Sequence, residues 1–381
     1  MPAYVDAQEV VAPETIRLFG DSVPFVLESG ESLAAVDVTF ETYGTLNSDG
    51  ANAILICHAL TANAHAAGVH TPFDQTPGWW DGLIGPGKAF DTDRYFVVCP
   101  NILGSCYGTT GPVSTNPRTG RAYRTTFPFV TIRDIVRVQY ELLRRLGVCR
   151  LAAVCGSSLG GMQVLEWAIM FPGMCETIIP ISTAARQSAW CIALNAIARR
   201  AITSDPAWQN GDYTEQPAAG VSLARMVGMV SYRSPGELEE RFGRSHQDAE
   251  GSEYDEGNLF QVESYLLHQG RKLVDRFDAN TYMTLSHATD SHDVTRGRGT
   301  LTSVLGSVRA RTLCIAVSTD HRYPPENQRE IVRWIPSATF AEIRSIHGHD
   351  AFLLEFAQLN STITGFLQTG REAVISRTTA V

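Results

Sequence analysis

A chain of 381 residues exceeds the usual size of a single core, so one large core with an insertion, or two domains, is expected. With 44% hydrophobic and 19% charged residues it has the balance of a packed globular protein, and a formal net charge of −9 argues against nonspecific nucleic-acid binding and against attraction to anionic membrane. Of 31 basic residues only Lys88 and Lys272 are lysines, so an anionic substrate has to be held locally by arginine.

The N-terminal stretch MPAYVDAQEV has no basic segment followed by a long apolar run, and no later stretch reaches the roughly 20 apolar residues of a membrane helix. Eight cysteines (Cys57, Cys99, Cys106, Cys149, Cys155, Cys175, Cys191, Cys314) are scattered without metal-type pairs, several inside apolar runs, and read as reduced thiols. A soluble cytoplasmic protein without a membrane or nucleic-acid partner is the expectation.

In chain order, residues 16–43 alternate apolar and polar side chains, as in Val36-Asp37-Val38-Thr39-Phe40-Glu41, and predict an antiparallel entry into a sheet. Asn52 to Leu60 reads as a buried strand running into a His-Ala-Leu-Thr loop. Gly82 to Lys88 approximates the phosphate-loop pattern G-x-x-x-x-G-K, but Ala89 stands where Ser or Thr should bind magnesium and Pro86 interrupts the loop, which argues against that reading. Tyr95 to Cys99 is a further strand, followed by a glycine-rich loop from Asn101 to Pro112. Ile132 to Leu146 has helical spacing with Gly147 as its C-cap. Leu151 to Cys155 is a strand, Gly161 to Met170 a helix and Glu176 to Ser182 a strand. This alternation implies a parallel sheet covered on both faces.

From 183 to 300 helical patterns dominate, at Trp190 to Thr203, Ser222 to Ser231 and Gln261 to Phe277. The sheet pattern returns at Thr312 to Thr319, with a helix at Glu326 to Trp334, a strand at Thr339 to Ile346, a helix at Phe352 to Gln368 and a loose tail of about ten residues. The expected division is a core of residues 1–182 and 301–381 with a helical lid at 183–300.

Gly156-Ser157-Ser158-Leu159-Gly160 lies where a predicted strand meets a predicted helix, the context in which G-x-S-x-G exposes a strained nucleophilic serine. The plain alternative, a structural glycine turn, needs no such switch. A serine hydroxyl requires a histidine base oriented by a carboxylate, in the chain order Ser, Asp, His. Asp320 ends a predicted strand, although a lone aspartate there is often only a cap. His349 follows in a Gly-His-Asp loop, and its rival His347 lacks the preceding glycine. Backbone N–H groups of Leu159 and Leu60 are the candidate oxyanion donors.

The segments HALTANAHAAG, PGWWDGLIGPGKAFDT, NILGSCYGTTGP, GSSLGGMQVLEW, LARMVGMVSYRS, RFDANTY, TDHRYPP and GHDAFL together resemble the homoserine O-acyltransferases of the α/β-hydrolase superfamily, which act in methionine biosynthesis. The resemblance runs from about residue 15 to 368. It implies an α/β-hydrolase fold with Ser158, Asp320 and His349 as the triad. It further implies Arg225 and Asp350 as ligands for homoserine's carboxylate and ammonium, and Tyr232 as a pocket residue. An acyl-CoA co-substrate, no metal or redox cofactor, a ping-pong mechanism and a homodimer formed through the lid follow from it as well. Ser157 stands where the family usually has glycine.

Members using succinyl-CoA resemble this chain in carrying an arginine two residues after the triad aspartate, here Arg322, where acetyl members usually have leucine. Arginine could pair with succinate's free carboxylate, so succinyl ranks ahead of acetyl as the expected donor; a solvent-facing Arg322 is the plain alternative. A serine esterase would share the triad, but Arg225 and Asp350 suit a zwitterionic acceptor. A serine O-acyltransferase stays open, because one methylene discriminates by only about 1–3 kcal/mol. A noncatalytic binding protein would typically have lost a triad member.

Overall fold

Alternating side chains at the start of the chain build the antiparallel edge of a sheet. In the computed structural model, which describes residues 10–20, 22–249, 255, 257–336 and 338–378 with side chains through Thr369, β1 (Glu14–Phe19) is followed by a two-residue-strand hairpin, β2 (Phe25–Val26) with β3 (Ser32–Leu33). β1 then pairs antiparallel with β4 (Val36–Tyr43). The N-terminal residues 1–9, on which the absence of a leader was argued, lie outside the described residues.

β5 (Ala53–Cys57) and β6 (Phe96–Pro100) are parallel, and β6 joins β4 antiparallel. β7 (Leu151–Ser157), β8 (Thr177–Ile181), β9 (Arg311–Val317) and β10 (Ala338–Ile343) extend the parallel part, giving the eight-stranded order β1-β4-β6-β5-β7-β8-β9-β10. Every residue of β5 and β8 is buried, as continuous apolar strands require when both sheet faces are covered. Successive residues alternate between two cores: Leu55, Val98, Val154 and Ile178 on one face, Ile56, Val97, Cys155 and Ile179 on the other.

The first core is closed by α1 (Ile132–Arg145), whose Thr131 and Asp134 form a capping box, and by α2 (Leu159–Met170), buried along most of its length. α10 (Phe356–Thr378) contributes Leu359 and Ile363 to the second core. It begins four residues later than the sequence pattern suggests, because Gly348–Leu353 forms a separate 3₁₀ turn. Its backbone runs past Gln368 to Thr378, into residues expected to be a loose tail; the side chains beyond Thr369 lie outside the described residues.

Between β8 and β9, α3 (Ala189–Ser204), α4 (Ala218–Tyr232), α5 (Pro235–Phe242), α6 (Gln261–Val274) and α7 (Ala279–Asp290) pack as a helical layer, α8 (Leu301–Gly306) leads back to the sheet, and α9 (Pro325–Trp334) joins β9 to β10. α5 and α7 were not legible in the pattern. α7 is rich in Asn, Thr, Ser and His and buries several sides at once, through Asn280, Thr281, Tyr282, Leu285, Ser286 and Ala288, so it has no single apolar stripe. α6 stops at Val274, short of the expected Phe277, which is buried as a loop residue.

Among the described residues no helix is long and apolar enough to cross a membrane, and all eight cysteines are free. Lys88, in the segment that imitates a phosphate loop, is spent on the Asp81 carbonyl at 2.5 Å and the Asp81 carboxylate at 3.2 Å.

The tightest approach is where α2 begins. A Cβ added to Gly160 would lie 2.0 Å from the Cys57 carbonyl oxygen, and one on Gly156 2.6 Å from the same atom. Gly160→Ala is therefore expected to lower unfolding stability by about 3 kcal/mol, read as a denaturation midpoint. Gly173→Ala, where an added Cβ meets nothing within 4 Å, should stay within about 0.5 kcal/mol of the parent. Equal midpoints for the two variants would contradict the close approach.

Candidate active site

The turn from β7 into α2 holds Ser158 at φ 56° and ψ −123°, a left-handed conformation costing roughly 1–3 kcal/mol for a residue with a Cβ. Two backbone bonds and one from a side chain maintain it: Ser158 N–H donates to the Ile181 carbonyl at 3.0 Å, and the Ser158 carbonyl accepts from Met162 N–H at 3.2 Å and from the Thr183 hydroxyl, Oγ1, at 2.8 Å. Thr183 fits there because Gly161 has no side chain; a Cβ on Gly161 would come within 2.6 Å of Thr183 Cβ. Ser157, in the position where a glycine was expected, is accommodated inside β7, and its Oγ has no hydrogen-bond partner among the described residues.

Asp320 lies just past β9 and uses its two oxygens differently. Oδ1 accepts the N–H groups of Arg322 at 2.8 Å and Tyr323 at 2.9 Å, shaping its own turn, and Oδ2 faces His349 Nδ1 at 2.7 Å. One carboxylate thus shapes its turn and faces the imidazole, and it caps no helix: the next helix, Pro325–Trp334, has Pro324 at its N-cap with no side-chain cap bond. Both Asp320 and His349 are buried. The imidazole is walled by the rings of Tyr323, Phe352 and Tyr232 at 5.3, 5.4 and 5.7 Å.

Gly348 delivers His349 by adopting φ 62°, and an added Cβ would meet the Tyr232 carbonyl oxygen at 2.6 Å. His347 is turned elsewhere, 3.2 Å from Glu237 of α5.

Ser158 and His349 line one cavity of about 340 Å³. No hydrogen bond joins them among the described residues; the bond recorded for the imidazole is that of Nδ1 with Asp320. Leu60 lines the same cavity, and neither its N–H nor that of Leu159 has an acceptor among the described residues. The loop carrying Leu60 is held from below by His58. Its Nδ1 bonds the Ala59 carbonyl at 2.8 Å while Nε2 accepts Ile102 N–H at 3.2 Å, and burial pushes its pKa down to about 4, so the ring is neutral.

A chain of buried amides reinforces the arrangement. Trp167 Nε1 donates to Gln139 Oε1 at 2.8 Å, Gln139 Nε2 to Gln163 Oε1 at 2.6 Å, and Gln163 Nε2 to the carbonyls of His58 and Leu159, each at 3.3 Å. Sequence reasoning overlooked His58 and this chain. The signal was available as glutamines on otherwise apolar faces of α1 and α2.

Arg225, Tyr232 and Asp350 also line the cavity. Asp350 lies 3.3 Å from Arg233, and burial raises its pKa while Arg233 and Arg225 pull it down. Arg322 departs from expectation. It is neither solvent-facing nor a lining residue of this cavity: its guanidinium is buried, donating to Ser231 Oγ at 2.9 Å and Asn195 Oδ1 at 2.8 Å. Arg225 and Arg322 both rest on the Tyr232 ring, 5.5 and 5.2 Å from its centroid.

Glu41, His65 and His70 place ligand-type atoms within 4.8 Å of one another and could hold a metal ion. As they stand they form a hydrogen-bonded clamp, the buried Glu41 carboxylate facing His65 Nδ1 at 2.9 Å and His70 Nε2 at 2.8 Å and accepting from Tyr43 Oη at 2.9 Å.

Residues 52–356 match the family model described as the alpha/beta hydrolase fold. A homoserine O-acetyltransferase of Carboxydothermus hydrogenoformans is 47% identical over 98% of this chain and 98% of its own. Among solved structures, a homoserine O-acetyltransferase from Bacillus anthracis superposes with TM-score 0.88 at 34% identity, covering 94% of this chain and 98% of its own. Esterase E22 superposes with TM-score 0.86 at 30% identity, covering 94% of this chain and 100% of its own.

Because one Asp320 oxygen serves His349 alone, Asp320→Asn is expected to lower turnover of an activated acetate ester by roughly 10³–10⁴ with the circular dichroism spectrum unchanged. A loss below about tenfold would contradict the orienting role.

Proposed function

The chain belongs to the homoserine O-acyltransferase family of the α/β-hydrolase superfamily, and from that premise we propose that it transfers the acetyl group of acetyl-CoA to the side-chain hydroxyl of L-homoserine. The observation that carries the acetyl donor is its likeness, over nearly the full length, to proteins named homoserine O-acetyltransferase.

Ser158 Oγ attacks the thioester carbonyl as His349 takes the hydroxyl proton, and the N–H groups of Leu60 and Leu159 stabilise the oxyanion. Collapse breaks the C–S bond, and His349 returns the proton to the departing thiolate. Homoserine's hydroxyl then gives its proton to His349 and attacks the acetyl-serine ester, releasing O-acetylhomoserine and reprotonating Ser158. The acceptor differs from water in its two charges. Arg225 is the match for the carboxylate and Asp350 for the ammonium, and holding both places the hydroxyl where it outcompetes water for the acyl-enzyme.

A succinyl donor is the second reading, resting on one observation: Arg322 is buried yet makes no ion pair among the described residues, only hydrogen bonds to neutral oxygens. A buried guanidinium so placed can serve an anionic group reaching past Tyr232. Exposed Trp190 and Ile197 on α3, with Leu223 and Val230 on α4, support the homodimer reading.

Thiol release measured with acetyl-CoA and succinyl-CoA in parallel, each with homoserine, decides the donor. Acetyl-CoA is expected to be preferred by at least about tenfold, with Arg322→Leu leaving the order unchanged; a succinyl preference that reverses in Arg322→Leu would overturn the acetyl reading. For the acceptor site, Asp350 has to be ionised. Its raised pKa means that homoserine KM is expected to climb as pH falls, beginning above the ordinary carboxylate range near 3.8. Asp350→Asn should show a raised KM without that pH dependence, and an unaltered KM profile in the variant would remove Asp350 from the acceptor site.

A further inference from the structure

Among the described residues lining the cavity of Ser158 and His349, only Pro77 and Arg276 are exposed, so they mark its mouth, whereas Arg225 is half-buried beside Tyr232. Arg276 stands two residues beyond the end of α6 and is held in place by one nitrogen, Nη1, which donates to the Thr61 carbonyl at 2.6 Å and to Tyr107 Oη at 3.0 Å. Both partners are neutral, and the guanidinium makes no ion pair among the described residues. Its Nε and Nη2 groups are left to bind a ligand, on a fork that suits phosphate.

We infer that Arg276 is the anchor for the phosphates of the acyl-CoA donor at the cavity mouth. The inference rests on the acyl-CoA reading above and extends it to a residue outside the triad and the acceptor site. Its logic is electrostatic. The chain carries a net charge of −9 and would repel a polyanionic donor, so the entrance has to supply local positive charge. Arg271 and Lys272 are exposed in the last turn of α6 and Asp275 is exposed beside Arg276, but none of the three lines the cavity. The first two are ordinary cations at a helix C-terminus; Arg276 is different because it lines the cavity. Thr61, which it grips, adjoins Leu60, so the anchor for the distant end of the donor is tied directly to the loop expected to hold the reacting carbonyl's oxyanion. The uncharged pantetheine arm would then run inward from Arg276 toward Ser158.

The test separates phosphate binding from support of the Leu60 loop by comparing acetyl-CoA with acetyl-pantetheine, which has the same thioester and arm but lacks the nucleotide and its phosphates. Arg276→Ala is expected to lower kcat/KM for acetyl-CoA about tenfold more than for acetyl-pantetheine, with Arg276→Lys recovering part of the difference. The rise of acetyl-CoA KM with added salt should also be weaker in Arg276→Ala than in the wild type. Equal losses on the two thioesters would overturn the inference and leave Arg276 as a brace for the Leu60 loop, and no loss on either would overturn it as well. Failure of the acyl-transfer reading registers separately, as absence of homoserine-dependent turnover of both thioesters by the wild-type enzyme, and overturns both.

Discussion

Everything at this site depends on how closely α2 approaches the end of β5. Gly156 and Gly160 permit a contact with the Cys57 carbonyl that no side chain could share, and that contact sets the Ser158 turn beside the His58–Leu60 loop. The candidate nucleophile and the candidate oxyanion donors are therefore positioned by one backbone packing event rather than by two independent loops. His58, neutral and hydrogen-bonded at both ring nitrogens, and the Trp167–Gln139–Gln163 amide chain stiffen the same junction. This is the supporting shell a preorganised oxyanion site requires.

The Asp320–His349 pair, the acid–base half of the proposed triad, is coupled to the helical layer. Asp320 shapes the turn that contains Arg322, and Arg322 reaches Asn195 on α3 and Ser231 on α4. Gly348 sets His349 against the end of α4, where Tyr232 adjoins both the imidazole and two arginines. The helices that would hold the acceptor amino acid thus share contacts with the residues that would activate it. Charged groups beside the histidine suit the proposed amino-acid acceptor, with its carboxylate and ammonium, better than they suit water.

Much of this was legible in the sequence, for identifiable reasons. The parallel sheet showed because buried strands are continuous apolar runs, and Ser158 showed because strand, glycine turn and helix follow one another without interruption. The Asp320–His349 pair, 2.7 Å apart, followed from chain order and from the glycine before His349. What escaped was tertiary. α7 is buried on several sides and has no periodic stripe. The partners of Arg322 were not legible because a motif position says nothing about which helices supply the acceptors of a long side chain. His65 was invisible as a cavity residue because its orientation depends on Glu41, 24 positions away.

The proposed reaction turns on an acyl-serine that an amino acid, not water, discharges. Intact-protein and peptide mass spectrometry after mixing the enzyme with acetyl-CoA alone tests this most directly. One acetyl group is predicted on the peptide containing Ser158, persisting in buffer and lost on addition of L-homoserine with stoichiometric formation of O-acetylhomoserine. An unmodified Ser158 peptide, or an adduct that buffer removes as fast as homoserine does, would contradict it.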